Sequence, residues 1–212
     1  MSGPSQQDVI TLLGNTLSPD AGTRQSATTS LEQFSQTSFP AYLSALSTAL
    51  GDESGTTPSH IRNSAGLAVK NSLSAREGSR AEGFAARWRD TVDDQVKGQV
   101  KEASLRALAS GDRNARNVAG QVVAAVAAIE LPNGAWNDLI VTLLGGVNQQ
   151  DNTGLRQASL QAIGFVCEGI VSLSRIVSKG GKGLGCKVRG SVASCCSGAR
   201  MDYCGRAFRV SP

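Results

Sequence analysis

A short pattern recurs four times in the first 170 residues, and it restricts the fold more than any other feature of the sequence. The pattern is an arginine, then Ala or Ser three positions later, then Leu, Val or Ile four positions after that. Its copies begin at Arg24, Arg62, Arg116 and Arg156, so the steps between arginines are 38, 54 and 40 residues. Small and apolar residues three and four positions apart lie on one side of a helix. The sequence therefore predicts four related amphipathic helices.

A second helical pattern precedes each copy, which predicts helix pairs rather than single helices. The preceding segments are QDVITLLGNTL, SFPAYLSALSTAL, VDDQVKGQVKEASLRALAS and GAWNDLIVTLLGGV. A period near 40 residues is typical of HEAT and armadillo repeats. We therefore predict an all-α fold, a right-handed α-solenoid of about four HEAT-type helix pairs with a concave face for partners. The alternative is an irregular helical bundle.

Two local signals refine this interpretation. The long middle step leaves room for an extra short helix, which the sequence favours near residues 81–90. Asp20 and Asp112 directly precede two of the repeated helices, and an aspartate in that position commonly caps a helix N-terminus. Strand signals are almost absent from the first 170 residues.

Composition and local motifs exclude several classes of function. There is no apolar run of about 18 residues, so we expect no membrane span. The N-terminal sequence MSGPSQQDVI lacks the basic and apolar regions of a secretory signal, which favours the cytoplasm or the nucleus. The single histidine, His60, stands beside Pro58 in a predicted loop without any nucleophile motif. We expect no enzymatic activity, no cofactor and no metal site.

Other residues that often carry chemistry have structural interpretations here. Asp93 and Asp94 are adjacent, so on a helix they would point about 100° apart and would not converge on one ligand. Trp88 and Trp136 are expected to pack between repeats. Cys167 is expected to lie in the core of the fourth repeated helix.

The character of the chain changes near residue 170. Residues 1–170 carry a net charge of −3, whereas residues 171–212 carry +7 and four of the five cysteines. These cysteines show no Cys-x-x-Cys spacing of the kind that structural zinc sites use. The composition predicts that residues 171–212 form a disordered basic tail rich in Gly and Cys. Val171-Ser172 is also what an in-frame 5′ splice donor would encode, which suggests the hypothesis that the tail is a translated intron.

Several blocks of the first 170 residues resemble the N-terminal HEAT-repeat region of the importin-β (karyopherin-β1) family. The blocks are RQSATTSLEQF, FPAYLSAL, IRNSAGLAVKNSL, RWRDTVDDQVKGQVKEASLRAL, AIELPNGAWNDLIVTLLGGV and ASLQAIGFVCEGI. The family's features match Arg24, Phe39-Pro40 and Val69-Lys70-Asn71, and the order of the blocks makes the resemblance specific. It covers residues 5–170, so we assign 1–170 to importin-β-like repeats and 171–212 to the tail.

The resemblance implies a role in nuclear protein import. The family's N-terminal repeats bind the small GTPase Ran, and its members move between cytoplasm and nucleus through the pores of the nuclear envelope. By this resemblance the repeated helices would face Ran, with Arg24, Arg62, Lys70 and Asn71 as the candidate GTPase-binding residues. Importin-α, cargo and nucleoporins are further partners that the resemblance implies.

The arginines also have a structural interpretation, which the sequence leaves open. A cation at a helix N-terminus opposes the helix dipole, so a partner must offset it. Each arginine could bond a carbonyl or carboxylate of the adjacent repeat, and we favour this for Arg116 and Arg156. Two other functions also stay open at this point. One is a generic HEAT or armadillo scaffold without GTPase binding. The other, which the sequence favours less, is nucleic-acid binding by the basic tail.

Overall fold

The computed structural model describes residues 4–75 and 77–180, without the side chains of 171–180. This part of the chain contains helices and no strands. The helices are α1 (Gln6–Asn15), α2 (Ala21–Thr37), α3 (Phe39–Leu50), α4 (Ser59–Leu73), α5 (Gly78–Thr91), α6 (Asp94–Leu108), α7 (Arg113–Glu130), α8 (Leu139–Val147) and α9 (Thr153–Gly180), with a 3-10 helix at Leu131–Asn133. No helix of the described residues is long and apolar enough to cross a membrane.

Eight of the helices form the predicted four pairs, α1/α2, α3/α4, α6/α7 and α8/α9. The first helices α1, α3 and α6 pack against one another in order, and the second helix α4 packs along α7. The second helices, α2, α4, α7 and α9, are the ones that carry the repeated pattern. The fold is therefore an all-α solenoid, as the sequence predicted. The extra helix of the middle step is α5, which contacts α4.

One apolar core runs through the four pairs. The pattern's small and apolar positions are buried on α4 and α7, where Ala65, Val69, Ala119 and Val123 are fully enclosed. Small residues at these positions let two helices approach closely, so each pair covers the apolar side of the pair before it. The core extends into the last pair through Leu143 and its neighbours.

The helix starts follow the capping chemistry that the sequence indicated. The Asp20 carboxylate accepts a hydrogen bond from the Thr23 N–H at 2.6 Å. The Asp112 carboxylate accepts one from the Asn114 N–H at 2.9 Å. Asp93 caps α6 in the same way, accepting from the Val96 N–H at 2.8 Å, so it has a structural task at a helix start.

Two expectations need correction. Cys167 is exposed rather than in the core. The buried stripe of α9 follows Ala158, Ala162 and Val166 at intervals of four, and Cys167 lies about 100° away from it. The second correction concerns the tail, which was predicted to be disordered from residue 171. The chain stays helical beyond residue 170, because α9 ends only at Gly180. The remainder of the predicted tail, residues 181–212, lies outside the described residues.

Candidate partner-binding surface

The exposed side of the second helices forms a surface rich in amide side chains, which we call the second-helix surface. Its amides include Asn63 and Asn71 on α4, Asn114, Asn117 and Gln121 on α7, and Gln157 and Gln161 on α9, and α2 adds the exposed Gln25, Gln33 and Gln36. Across two pairs, the Gln161 side chain donates to the Asn117 Oδ1 at 3.0 Å. Amide groups both donate and accept hydrogen bonds, and Arg24, Lys70 and Arg156 on the same helices add positive charge, so this surface can complement a polar or acidic partner.

Arg24 and Arg116 use the same local geometry at the start of α2 and α7. The Arg24 Nη1 donates to the carbonyls of Ser18 and Pro19, both at 2.8 Å. The Arg116 Nη1 donates to the carbonyls of Ser110 and Gly111, at 2.7 and 3.0 Å. Each guanidinium therefore binds the connection that leads into its own helix. These bonds compensate for placing a cation near a helix N-terminus.

This geometry corrects part of the ladder hypothesis. The Arg116 partners are carbonyls, as predicted, but they belong to its own pair and not to the adjacent one. Arg116 still contacts the next pair, because a Cβ added to Gly154 at the start of α9 would lie 3.1 Å from the Arg116 Cζ. Arg24 stays exposed and keeps part of its guanidinium available to a partner. Arg156 is exposed and makes no side-chain hydrogen bond to the other described residues.

Arg62 joins two pairs from inside the protein. Its side chain is buried, with 7% of the residue exposed. The Arg62 Nε donates to the Leu50 carbonyl at the end of α3, and its Nη1 donates to the Ser110 Oγ before α7, both at 3.0 Å. The enclosed guanidinium and its two bonds support the interpretation that Arg62 connects neighbouring repeats. The expectation that Arg62 contacts a GTPase directly does not fit this burial.

The Arg62 guanidinium lies within electrostatic range of Asp112 at the start of α7. Burial alone would raise the pKa of Asp112, but the Ser59 hydroxyl and the N–H groups of Asn114 and Ala115 stabilise its carboxylate. Together with the Arg62 charge, they hold the pKa of Asp112 below its ordinary value. Asp112 therefore stays ionised and helps to fix the start of α7 against α4.

Lys70 and Asn71 lie at the C-terminal end of α4, two turns or more beyond Arg62. Lys70 is half-buried in the last helical turn, where a cation interacts favourably with the helix dipole. Asn71 is exposed. Neither side chain makes a hydrogen bond to the other described residues, so both are available to an external partner. Of the four candidate residues, these two have the least structural use for their polar groups.

Asn71 also lines a groove between α2, α4 and α5 that the sequence did not indicate. The groove has a volume of about 390 Å³, and its walls include Glu32 from α2 and Phe84 and Arg87 from α5. These residues are far apart in the chain, and no local motif links them. On α5, Phe84 and Arg87 lie three positions apart and so share one side of the helix, and the Arg80 Cζ lies 5.4 Å from the centroid of the Phe84 ring.

The repeated helix pairs and their open second-helix surface define the class of protein as a HEAT-type α-solenoid. No protein-family model matches the sequence. It is 39% identical over 158 residues to importin subunit beta-1 of Schizosaccharomyces pombe, which covers 74% of this chain and 18% of that protein. It is 34% identical over 165 residues to importin subunit beta-1 of Saccharomyces cerevisiae, covering 77% of this chain and 19% of that protein.

Solved structures agree with these relatives. A crystal structure of importin beta is 40% identical with a TM-score of 0.73, covering 80% of this chain and 19% of that one. A structure of Kap95p with RanGDP is 34% identical with a TM-score of 0.75, covering 78% and 19%. A Kap95:Nup1 complex is 32% identical with a TM-score of 0.75, covering 87% and 23%. The chain belongs to the importin-β family, and it spans about a fifth of the length of the curated relatives it matches.

Proposed function

We propose that this chain acts as part of an importin-β-type nuclear transport receptor, and that its second-helix surface binds a Ran-type small GTPase. The observation that carries the proposal is the similarity to Kap95p, which binds RanGDP and induces its switch loops to adopt the GTP-bound conformation. The role is binding and transport rather than catalysis. It places the protein in the cytoplasm and nucleus and at the nuclear pore. A nucleoporin is a further proposed partner, because Kap95 forms a complex with Nup1.

We assign different tasks to the four candidate residues. Lys70 and Asn71 would contact the GTPase directly, because their polar groups face solvent without intramolecular partners. Arg24 would contribute from the edge of the surface, through the part of its guanidinium that the Ser18 and Pro19 carbonyls leave open. Arg62 would act indirectly by holding α4 against the start of α7.

The binding experiment compares GTP-loaded with GDP-loaded Ran in titrations against the full chain. If the surface favours the GTP-like switch conformation, GDP-loaded Ran must rearrange its switch loops on binding, which costs free energy. A cost of about 1.4 kcal/mol weakens the affinity tenfold, so GDP-loaded Ran should bind at least tenfold more weakly than GTP-loaded Ran. Equal affinity for both forms, or binding to neither, contradicts the proposal.

A matched pair of variants separates GTPase binding from a general scaffold role. Lys70→Ala with Asn71→Ala should weaken binding of GTP-loaded Ran by about tenfold, as expected when two contacts of a polar interface are removed. Arg106→Ala on α6 combined with Asn148→Ala just after α8 removes one exposed cation and one exposed amide on the first-helix side, and should leave the affinity unchanged. If the chain is a scaffold without a GTPase role, the two double variants should not differ: both should retain the same amount of Ran, or none.

The partition of the chain at residue 170 also remains a proposal. We propose that the importin-β-like sequence ends at residue 170, although α9 itself continues to Gly180, given the net charge of +7 and the glycines and cysteines of residues 171–212. If they are translated intron, transcript reads across the locus should show splicing at the codons for Val171-Ser172. Unspliced reads through this junction as the main transcript would contradict the hypothesis.

A further inference from the structure

Helix α5 stands outside the four pairs, and its contacts reach three of them. It follows α4 and packs against it. Two neighbouring residues, Arg87 and Trp88, then contact different parts of the solenoid. Consecutive helical residues point about 100° apart, so one helix can bind two separate pairs through them.

Arg87 connects α5 to the first two pairs. Its Nη2 donates to the Ser35 carbonyl in the last turn of α2. Its Cζ also lies 3.9 Å from the centroid of the Phe39 ring at the start of α3. A cation at a helix C-terminus satisfies carbonyls that have no partner within the helix, and a guanidinium stacked on an aromatic ring gains a further attraction. Arg87 therefore binds α2 and α3 at the point where they meet.

Trp88 connects α5 to the third pair. It is fully buried, and its Nε1 donates to the Glu130 Oε1 at 3.1 Å. Glu130 is 5% exposed at the C-terminal end of α7, where the helix dipole disfavours a carboxylate. The Lys101 ammonium from α6 forms an ion pair with the same carboxylate. The Trp88 indole is thus one of two donors that make a buried acid tolerable in this place.

The groove described above shows why such a connection matters. Helix α4 packs along α7, whereas α2 and α4 are separated by the groove of about 390 Å³. Helix α2 therefore depends on α1 and α3 for its packing, and Arg87 joins its C-terminal end to α5 across this groove. The wall that α5 adds through Phe84 and Arg87 closes one side of the groove.

We propose that α5 is a brace that fixes the position of α2 relative to α4 and α7, and so holds the second-helix surface in one shape. Arg87 and Trp88 are its positioning residues. The inference does not depend on which partner binds the surface. It predicts that loosening the brace changes the spacing of the pairs while each pair stays folded.

The test measures a distance across the brace in the full chain. Spin labels are introduced at Thr29 on α2 and Asn114 on α7, two exposed positions, through unnatural amino acids so that the native cysteines stay in place. We expect one narrow distance distribution for the unmodified sequence. Combining Arg87→Ala with Trp88→Phe should broaden it at least twofold, and each single change should give an intermediate width. Trp88→Phe removes the N–H donor and keeps an aromatic ring in the core, but the smaller phenyl ring also leaves space at this fully buried site, so the unfolding temperature of each variant is measured as well.

Arg89→Ala is the matched control, because Arg89 is the next residue and pairs with the exposed Glu82 on the same helix. It should leave the distribution unchanged. Circular dichroism on each variant checks that the helices remain. If the double variant shows the unmodified distance distribution while its unfolding temperature falls, the two residues serve local packing alone and the brace proposal is overturned. If Arg89→Ala broadens the distribution equally, the proposal also fails.

Discussion

The middle of the solenoid and its last described pair use the same sequence pattern with different results. In the second pair, Arg62 is buried and bonded to two other elements. In the fourth pair, the corresponding Arg156 is exposed and has no side-chain hydrogen bond to other described residues. The residue four positions after Arg62 is Gly66, which lies close against Val118 of α7. The residue four positions after Arg156 is Leu160, which is 58% exposed.

This difference shows that the pattern specifies a helix with an apolar stripe. The neighbouring pair determines whether the side chain at each position is buried and what it contacts. Helix α7 packs beside Arg62 and Gly66. The absence of a side chain at Gly66 leaves room for Val118 of α7, and the buried Arg62 guanidinium finds a partner in Ser110 just before α7. Helix α8 lacks such a neighbour on one side within the described residues. Its Ile140, Val141 and Leu144 are 39%, 72% and 48% exposed, a concentration of apolar surface that the middle of the solenoid does not show.

The largest expected effect on stability is the difference between two single substitutions, Arg62→Ala and Arg156→Ala. Arg62→Ala should lower the free energy of unfolding by about 2–4 kcal/mol, because it leaves the Leu50 carbonyl and the Ser110 hydroxyl buried without their charged donor. Arg156→Ala should change it by less than about 0.5 kcal/mol. Urea unfolding followed by circular dichroism measures both. Similar losses for the two variants would show that the pattern itself, and not its neighbour, determines the contribution.

A second comparison uses glycines four positions after the arginine. A Cβ at Gly66 would lie 2.7 Å from both γ carbons of Val118, so Gly66→Ala should destabilise by about 1–3 kcal/mol through overpacking. At Gly120 the nearest atom is the Ala162 Cβ at 3.6 Å, an ordinary contact. Gly120→Ala should therefore be neutral or stabilise by up to about 1 kcal/mol, because alanine favours helix. Thermal unfolding of the two variants should move the midpoint in different directions; a rise for Gly66→Ala contradicts the close approach.

A third comparison concerns pH and the caps of the second helices. Asp112 caps α7, whereas Asn152 caps α9 and accepts from the Leu155 N–H at 2.9 Å. Because the pKa of Asp112 is lowered in the folded state, its contribution is present above the unfolded pKa, near 4, and is lost as the pH falls through the lower folded value. The effect should be under about 1 kcal/mol, as is usual for one cap.

The pH effect is measured by urea unfolding at several values between pH 5 and pH 2. Asp112→Asn keeps a capping oxygen and should make the loss of stability toward low pH shallower. Asn152→Gln is a control that alters a cap without removing a titratable group, so its pH dependence should parallel that of the unmodified chain. An unchanged slope for Asp112→Asn would mean that other carboxylates account for the acid sensitivity.

The smallest effect on stability is expected on the exposed side of α8. Val141→Asp should change the free energy of unfolding by less than about 0.5 kcal/mol, because the side chain is 72% exposed. It should nevertheless reduce light scattering of concentrated samples, since it interrupts an exposed apolar patch. Thr142→Asp introduces the same charge at a neighbouring exposed position and should reduce scattering less. Equal reductions would assign the effect to net charge and not to the patch.

Much of the fold was predictable because helix pairs are encoded locally. The pattern beginning at Arg24, Arg62, Arg116 and Arg156 predicted the second helices, and the long middle step predicted α5. Asp20 and Asp112 cap the helices that the sequence assigned to them. Apolar spacing, capping residues and breakers act over a few residues, so they can be recognised without knowing what lies beside the helix.

The candidate site was less predictable because its residues meet only after the pairs stack. Lys70 and Asn71 could be proposed from the family resemblance, but only the tertiary structure shows that their side chains find no hydrogen-bond partner among the described residues. The groove that Asn71 shares with Glu32 and Phe84 has no counterpart in local spacing. The exposure of Cys167 was missed because one position of offset on α9 turns a side chain from the core to the surface.

By itself, the sequence determined that this chain forms paired helices in a solenoid, and it indicated the importin-β family. Periodicity and capping suffice for this, since each helix carries its own stripe and its own start. The tertiary structure alone decided which arginines are buried, where the second helices separate to leave a groove, and that Arg87 and Trp88 of α5 reach different pairs. These features depend on which pair lies next to which, and that neighbourhood is fixed only when the whole core packs.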